Sequence, residues 1–225
     1  MSNAFNPRAS RRSFLAAATS AALAAALAGA GALTAPAAHA ADEAPDAMIQ
    51  RLSNEVLAAI KTHEAALRNG DLAPAMKIVD EMIMPNVDFT RMTASAIGPG
   101  WRRATPEQKD KLLAAFKTLL IRTYAGALKQ IGNQSVEMRP FRGDPAGQEV
   151  VVQTLVRNKG EPIQLDYRLE RTPGQGSGWK IYDLNVLGVW LVDNYRPQFS
   201  QQVNSGGIDG LIQAMEARNS ANAGQ

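Results

Sequence analysis

Cysteine is absent from this 225-residue chain. Disulfide bonds, thiolate metal sites and a lipid anchor on cysteine are therefore excluded, and packing alone must hold the fold. Histidine is almost as scarce, since His39 and His63 are the only two. Neither a zinc site built on several histidines nor a histidine acid–base pair is available. Any special chemistry must come from other groups.

The first 40 residues have the layout of an export signal peptide. Its basic start, apolar stretch and small-residue end follow in order: Arg8, Arg11 and Arg12, then residues 14–33, then Ala38-His39-Ala40. The run from Ser10 to Leu15 resembles a twin-arginine signal. A retained membrane anchor is the alternative, but the stretch is mostly alanine and glycine, which partition weakly into lipid. We predict cleavage after Ala40 and a periplasmic location.

Positive charge belongs to this leader. The chain has 24 Lys and Arg against 21 Asp and Glu, and the leader holds three arginines with no acidic residue, which leaves 21 of each sign in the mature part. A phosphate backbone requires concentrated positive charge. Nucleic acid is therefore not an expected partner.

The remaining 185 residues are a usual length for one domain. We expect a single domain over residues 41–217, followed by a flexible polar tail over residues 218–225. Apolar residues at helical spacing predict helices over residues 45–68, 72–84 and 89–97, in that order.

Thr105-Pro106-Glu107-Gln108 is a strong helix start, because it combines a capping hydroxyl, proline at the first position and glutamine three residues after the cap. A long helix should run from there to about residue 131. Apolar side chains recur along it at helical spacing, which makes one face wide and apolar. We expect it to be the central helix.

After Gly132 the apolar period changes to two, which is typical of strands. Four consecutive antiparallel strands are predicted over residues 135–140, 149–158, 162–172 and 179–186. One sheet face should be apolar and the other wet. Helices follow again, over residues 189–203 and after Ser205-Gly206-Gly207. The prediction is an α+β domain with helices packed on one face of a four-stranded antiparallel sheet.

Catalytic motifs are not apparent. Asp166, Glu170 and Asp183 are the one carboxylate cluster to consider, and they lie on the face predicted to be solvated. Nearby basic residues are placed to neutralise them. A perturbed catalytic carboxylate needs burial, which the sequence does not indicate. We expect a protein that is not an enzyme.

A resemblance to a known family rests on a composite of short motifs. These are Gly178-Trp179-Lys180-Ile181-Tyr182-Asp183, Gly188-Val189, Leu191-Val192, Asn194-Tyr195-Arg196, Gln198-Phe199 and Gly206-Gly207-Ile208-Asp209-Gly210-Leu211-Ile212. Together they resemble the signature of the MlaC family, periplasmic phospholipid-binding proteins of the maintenance-of-lipid-asymmetry system. Trp190 and Pro197 depart from the expected small polar residues. Proline predicts that the last long helix kinks or restarts at Pro197.

The resemblance implies a carrier with a lipid-sized cavity between the long helices and the inner sheet face. It implies bound phospholipid as ligand, no cofactor and no metal. Its partners would be an outer-membrane lipoprotein complex and the substrate-binding domain of an inner-membrane ABC transporter. The implied lipid-binding residues are Phe116, Leu119, Leu120, Tyr124, Leu128, Val152, Leu165, Tyr167, Leu169, Ile181, Tyr182, Val189, Leu191, Tyr195 and Phe199.

Two other hypotheses stay open. Related proteins accompany hopanoid export, so the chain is alternatively a carrier or assembly factor for another lipid. A fold of this shape with a filled core would instead serve as an adaptor or a small hydrolase. Periodicity alone does not separate a filled core from an apolar tunnel.

Overall fold

The computed structural model of the protein describes residues 42–128, 134–157 and 160–222. Within these residues there are six α-helices: α1 (Pro45–Thr62), α2 (Glu64–Arg68), α3 (Ala73–Ile78), α4 (Phe89–Ile97), α5 (Pro106–Leu128) and α6 (Leu191–Ala221). The same residues contain five strands: β1 (Ser135–Met138), β2 (Glu149–Arg157), β3 (Ile163–Arg171), β4 (Trp179–Val186) and β5 (Val189–Trp190). The predicted leader lies outside the described residues, so its cleavage stays a prediction.

Two of the predicted helices are divided. The first forms α1 and α2, and His63 lies at the break with a backbone φ of −110°. The second begins as α3, widens into a π-helical turn at Val79–Ile83 and tightens into a 3-10 turn at Met84–Asn86. Pro85 lies inside that last turn, so the helical path continues past the predicted stop.

The predicted helix starts at α4 and α5 carry their caps. Asp88 Oδ1 accepts a hydrogen bond from the Arg91 N–H at 2.8 Å and caps α4. Thr105 Oγ1 accepts from the Gln108 N–H at 3.2 Å, while Gln108 Oε1 accepts from the Thr105 N–H at 3.0 Å. This capping box fixes the start of α5 at Pro106. The predicted end of this helix, residues 129–131, lies outside the described residues.

The sheet runs in the order β1-β2-β3-β4-β5 with antiparallel neighbours. The α+β class and the four predicted strands are confirmed, but the strand count was wrong by one, because β5 replaces the predicted helix start at Val189. Leu187 and Gly188 both have positive φ, 54° and 88°, and form a two-residue turn that returns the chain beside β4. Leucine is not a residue that signals such a turn.

A bulge divides β4. The register between β3 and β4 shifts between Arg168 and Leu169, and Tyr182 is the extra residue of β4. Residues beyond it therefore face the side opposite to the one that simple alternation predicts. Leu184 and Val186 lie on the same face as Leu169. We call the face that carries Leu169 the inner face and the opposite one the outer face.

Helix α6 is interrupted at Gly207, whose φ is 67°. Of the two alternatives predicted at Pro197, a restart is not found there, because the break lies at Gly207, where the sequence predicted the start of the final helix. The helix continues to Ala221, within the segment predicted as a loose tail. There the side-chain amide of Asn219 donates to the backbone carbonyl of Ala115 at 2.9 Å and ties α6 to α5.

Buried apolar side chains form three clusters. The α1 cluster packs the first turns of α1 on the inner face of the sheet through Met48, Ile49, Leu52, Val150, Val152, Leu169, Trp179 and Ile181. The helical cluster packs α4, α5 and α6 around Phe116. A smaller cluster joins the end of α1 to α2 and α3 through Ile60, Leu67, Ala75 and Ile78. Because the end of α1 packs in this third cluster and not on the sheet, α1 covers only part of the inner face.

Candidate functional site

Four aromatic rings fill the centre of the helical cluster. Phe116 lies between Phe89, Tyr195 and Phe199, with ring centroids 5.7, 5.1 and 5.2 Å away. The Phe116 side chain is fully buried, and Tyr195 and Phe199 are nearly so. Edge-to-face and stacked rings at these distances stabilise a core. This part of the predicted site is core packing between helices.

The inner face of the sheet has two parts. Under the first turns of α1 its side chains are 6% exposed or less: Val150, Val152, Leu169, Trp179 and Ile181. We call this part the closed half. The indole N–H of Trp179 donates to the backbone carbonyl of Glu43 at 3.0 Å, which attaches the segment before α1 to the sheet.

Toward the start of β3 the same face becomes partly accessible. The apolar side chains here are half-buried: Val156, Ile163, Leu165, Leu184 and Val186. We call this part the open half. Thr154 is fully buried among them, and its hydroxyl donates to the Leu165 carbonyl at 2.6 Å, so it presents no free polar group. An apolar surface of this kind suits a hydrocarbon ligand.

Helix α5 carries further half-buried apolar side chains. Leu120 and Tyr124 are half-buried and pack against the same helical cluster as Leu184 and Val186. Burial raises the pKa of the Tyr124 phenol above its ordinary value. Leu165 is the strand partner of Val186, and we call the set Leu120, Tyr124, Leu165, Leu184 and Val186 the helix–sheet cleft.

Tyr167 lies at the boundary between the two halves. It pairs with Val152 of the closed half on one side and with Leu184 of the open half on the other. Its hydroxyl is hydrogen-bonded to Ser53 of α1 and to Thr154, and burial raises the pKa of its phenol. Tyr167 is therefore hydrogen-bonded to the helix that covers the closed half, and it also borders the cleft.

The predicted lipid-binding residues fall into separate groups. The helical cluster holds Phe116, Leu119, Leu191, Tyr195 and Phe199. The closed half holds Val152, Leu169 and Ile181. The cleft and its border hold Leu120, Tyr124, Leu165 and Tyr167. Of the remaining three, Tyr182 lies on the outer face, Val189 is 50% exposed on β5, and the Leu128 side chain lies outside the described residues.

Leu184 and Val186 were missed by sequence reasoning. Their strand was predicted, but alternation through an uninterrupted β4 cannot place both Ile181 and Leu184 on one face. The bulge at Tyr182 does so, and no residue type in Ile181-Tyr182-Asp183-Leu184 signals it. The two surface grooves described below lie elsewhere, so the predicted lipid-sized cavity stays a prediction.

Several charged side chains on the outer face form ion pairs. The Arg91 guanidinium lies 3.7 Å from the centre of the Tyr182 ring and forms ion pairs with Glu149 and Glu170. The Tyr182 hydroxyl donates to Glu149 at 3.0 Å. The hydrogen bond from Arg91 is the main cause that lowers the pKa of Glu149. A groove on this face is lined by Arg142, Glu149, Val151, Arg168 and Tyr182, among others.

The expectation of a fully wet outer face was wrong, because Asp183 is 1% exposed and Asp166 3% exposed. Asp183 Oδ1 accepts from the Val192 N–H at 3.1 Å in the first turn of α6, and Oδ2 accepts from Arg168 at 2.8 Å. Burial raises the pKa of Asp183, although these donors favour its charged form. An acidic side chain at a helix N-terminus stabilises that helix. This carboxylate anchors α6 to β4.

A membrane span and a metal site each set a requirement on the described residues. In residues 42–128, 134–157 and 160–222 no helix is long and apolar enough to cross a membrane. Within the same ranges no group of three or more histidine and carboxylate side chains is placed to hold a metal ion. The candidate site consists of half-buried apolar side chains of an antiparallel sheet and of a long helix, which pack against one helical cluster.

A solved structure with this architecture is the phospholipid-binding protein from Ralstonia solanacearum in complex with a phospholipid. It is 43% identical to this chain, with a TM-score of 0.75, and the similarity covers 80% of this chain and 99% of that one. Fold and sequence thus place the chain among α+β proteins similar to a phospholipid-binding protein.

The chain belongs to the MlaC family, whose pattern matches residues 50–217. The resemblance seen in the sequence is therefore confirmed. The toluene tolerance protein ttg2D of Pseudomonas putida is 25% identical over 168 residues, 74% of this chain and 76% of that protein. The intermembrane phospholipid transport system binding protein MlaC of Haemophilus influenzae is 25% identical over 179 residues, 78% of this chain and 82% of that protein.

Proposed function

We propose that this protein is a periplasmic phospholipid carrier that shelters acyl chains in the helix–sheet cleft. The observation that carries the proposal is the open half of the inner face, whose half-buried Leu184 and Val186 pack against the same helical cluster as Leu120 and Tyr124 of α5. A related protein of the same fold binds a phospholipid. The predicted site residues in the cleft are Leu120, Tyr124, Leu165 and Tyr167, and Leu184 and Val186 extend it.

A carrier of this kind acts by burial alone. A phospholipid with about 30 chain carbons loses ~0.8 kcal/mol for each methylene exposed to water, so it does not cross an aqueous space unaided in useful time. A cleft that matches the hydrocarbon of a bilayer makes transfer close to neutral. The headgroup is expected to stay in water at the mouth, and no cofactor is required.

The buried carboxylate of Asp183 fits a structural role better than a catalytic one. Asp183 is held by two backbone amides and by Arg168. Such donors are needed to anchor α6, and they leave little room for a substrate. Catalysis is therefore not part of the proposal, and an adaptor with a filled core is the competing function.

The proposed route runs between two membranes. The leader would deliver the chain to the periplasm, where it would collect and release lipid at an outer-membrane lipoprotein complex and at the substrate-binding domain of an inner-membrane ABC transporter. Equal numbers of acidic and basic residues in the mature part favour short-lived contacts over tight electrostatic capture. A carrier needs such contacts if it is to leave its partner.

The test is mass spectrometry of lipid that co-purifies with the protein. We expect phospholipid in the wild type and its loss in Leu165→Arg, which places a charge in the cleft. Val151→Arg is the matched control, because Val151 is 42% exposed on the outer face of the neighbouring strand. Circular dichroism identifies variants that fail to fold. A folded Leu165→Arg protein that retains its lipid contradicts the chosen wall, and recovered hopanoid favours the other lipid class.

Export and exchange are tested separately. N-terminal sequencing of periplasmic protein should begin at Ala41, and lysine at both Arg11 and Arg12 should block export by the twin-arginine route. Lipid should then pass between the mature protein and an isolated, membrane-bound partner domain. If no partner exchanges lipid and deletion of the gene leaves outer-membrane asymmetry intact, the shuttle is wrong.

A further inference from the structure

A second surface groove lies where the end of α4 and the 3-10 turn at Gly98–Arg103 meet α6. Its lining combines apolar side chains with three guanidinium groups, and no described residue that lines it is acidic: Ala94, Pro99 and Trp101 with Arg91, Arg102 and Arg196. We call it the arginine groove. Because Glu149 and Glu170 neutralise Arg91, the positive charge that the groove offers comes from Arg102 and Arg196.

The turn that carries Arg102 is held in place by two glycines. Gly98 has a φ of 69°, which side chains with a Cβ rarely adopt. Gly100 is buried, and a Cβ there would lie 3.2 Å from side-chain atoms of Ile97 and Val203. The turn is thus pressed against α6. It presents its arginine from a fixed backbone, which lowers the entropy that binding costs.

Structural roles explain only part of this charge. Arg91 is paired with two glutamates of the sheet. Arg196 Nε donates to the Ser95 carbonyl at 3.0 Å, in the last turn of α4, as basic residues at helix ends often do. Arg102 is exposed, and within the described part of the chain it has no ion pair or hydrogen bond. No contact within the described residues therefore explains why Arg102 lies beside Arg91 and Arg196.

We propose that the arginine groove docks an acidic segment of a protein partner. Guanidinium forks bind carboxylates with two parallel hydrogen bonds, and the apolar floor accepts an aliphatic side chain between them. The Lys109 ammonium, 5.5 Å from the centre of the Trp101 ring, adds positive charge at one end. This proposal rests on the proposed carrier function, which requires partners, and it names the partner's chemistry. The groove is lined by other residues than the cleft, so docking and lipid binding occupy separate surfaces.

The experiment titrates purified lipid-loaded protein with a fluorescein-labelled peptide of alternating glutamate and leucine and follows its anisotropy at low salt. We expect Arg102→Gln to weaken binding about fivefold, and the double change with Arg196→Gln to weaken it further. Arg103→Gln is the matched control. It removes the same charge from the adjacent exposed residue, which does not line the groove, and should weaken binding less than about twofold.

Equal losses in Arg102→Gln and Arg103→Gln would show attraction by net charge alone and overturn the groove. Binding of vesicles that contain anionic phospholipid, lost in Arg102→Gln while the peptide does not bind, would assign the surface to a membrane and also overturn it. Lipid content, measured on the same samples, should be equal in the wild type and in Arg102→Gln. Absence of lipid from every sample would contradict the carrier function and leave the peptide result as an independent readout.

Discussion

The closed and open halves of the inner face lie on the same strands and differ in what covers them. Val152 and Leu169 are almost inaccessible under α1, whereas Leu165 and Val186, farther along the same face, remain half-buried. Helix α1 causes the difference, because its second half packs against α2 and α3. One end of the sheet face is thus packed as core, whereas the other leaves apolar surface partly accessible to solvent.

The largest effect should come from the closed half. Trp179→Ala removes a buried ring and the hydrogen bond to Glu43, and should lower the free energy of unfolding by about 3–5 kcal/mol. Urea unfolding followed by circular dichroism measures it. Trp190, half-buried on the outer face with the Arg168 guanidinium 3.9 Å from its ring centre, is the matched control. If Trp190→Ala costs as much, burial under α1 does not distinguish the closed half.

A smaller effect should follow from weakening the Asp183 contacts that anchor α6 to β4. Asp183→Asn keeps an oxygen that accepts from α6 but removes the charge that pairs with Arg168, and should cost about 1–2 kcal/mol. Hydrogen exchange should show faster opening near Leu184 and Val192 than near Leu169. Uniform acceleration across all three positions would show that Asp183 stabilises the whole sheet and not this end of it.

Substitution in the cleft should affect lipid content more than stability. Leu165→Ala removes a half-buried side chain, so its stability cost should be about 1 kcal/mol, because solvent already reaches part of its surface. Lipid content should nevertheless fall more than in Leu169→Ala, whose stability cost is expected to be larger. Unfolding and lipid mass spectrometry on both variants give the comparison. Parallel losses of stability and lipid in the two variants would mean that the two halves are one core.

Much of this arrangement was predictable from local signals. The capping box at Thr105 and Gln108 identified the start of α5, and period-two alternation identified β2, β3 and β4. Phe116 and Leu165 were recognised as inward-facing because helix and strand periodicities are regular. These are properties of neighbouring residues in sequence, and they survive folding unless tertiary contacts override them.

Other features depend on contacts between distant segments. The bulge at Tyr182 follows from the pairing of β4 with β3, and the burial of Asp183 follows from the arrival of α6 over it. Leu187 adopts a positive φ because the β4–β5 hairpin demands it, although leucine does not favour that conformation. The division of the inner face likewise depends on where α1 leaves the sheet. None of these is encoded in a short sequence window.

The smallest effect should be a pH dependence at the boundary between the halves. Burial raises the pKa of Tyr167 in the folded state above the value of about 10 for an exposed phenol. Between the two pKa values the folded state binds more protons than the unfolded state, so the free energy of unfolding falls as pH rises. Tyr167→Phe should flatten this loss above about pH 10 relative to the wild type. Tyr182→Phe should also flatten the loss, because the pKa of this half-buried phenol on the outer face is raised too, and it measures the outer-face contribution separately. Urea unfolding of the three proteins from neutral to alkaline pH decides the matter. An alkaline loss equal in the wild type and in Tyr167→Phe would mean that the Tyr167 phenol ionises freely, and that the boundary is as open to water as the cleft it borders.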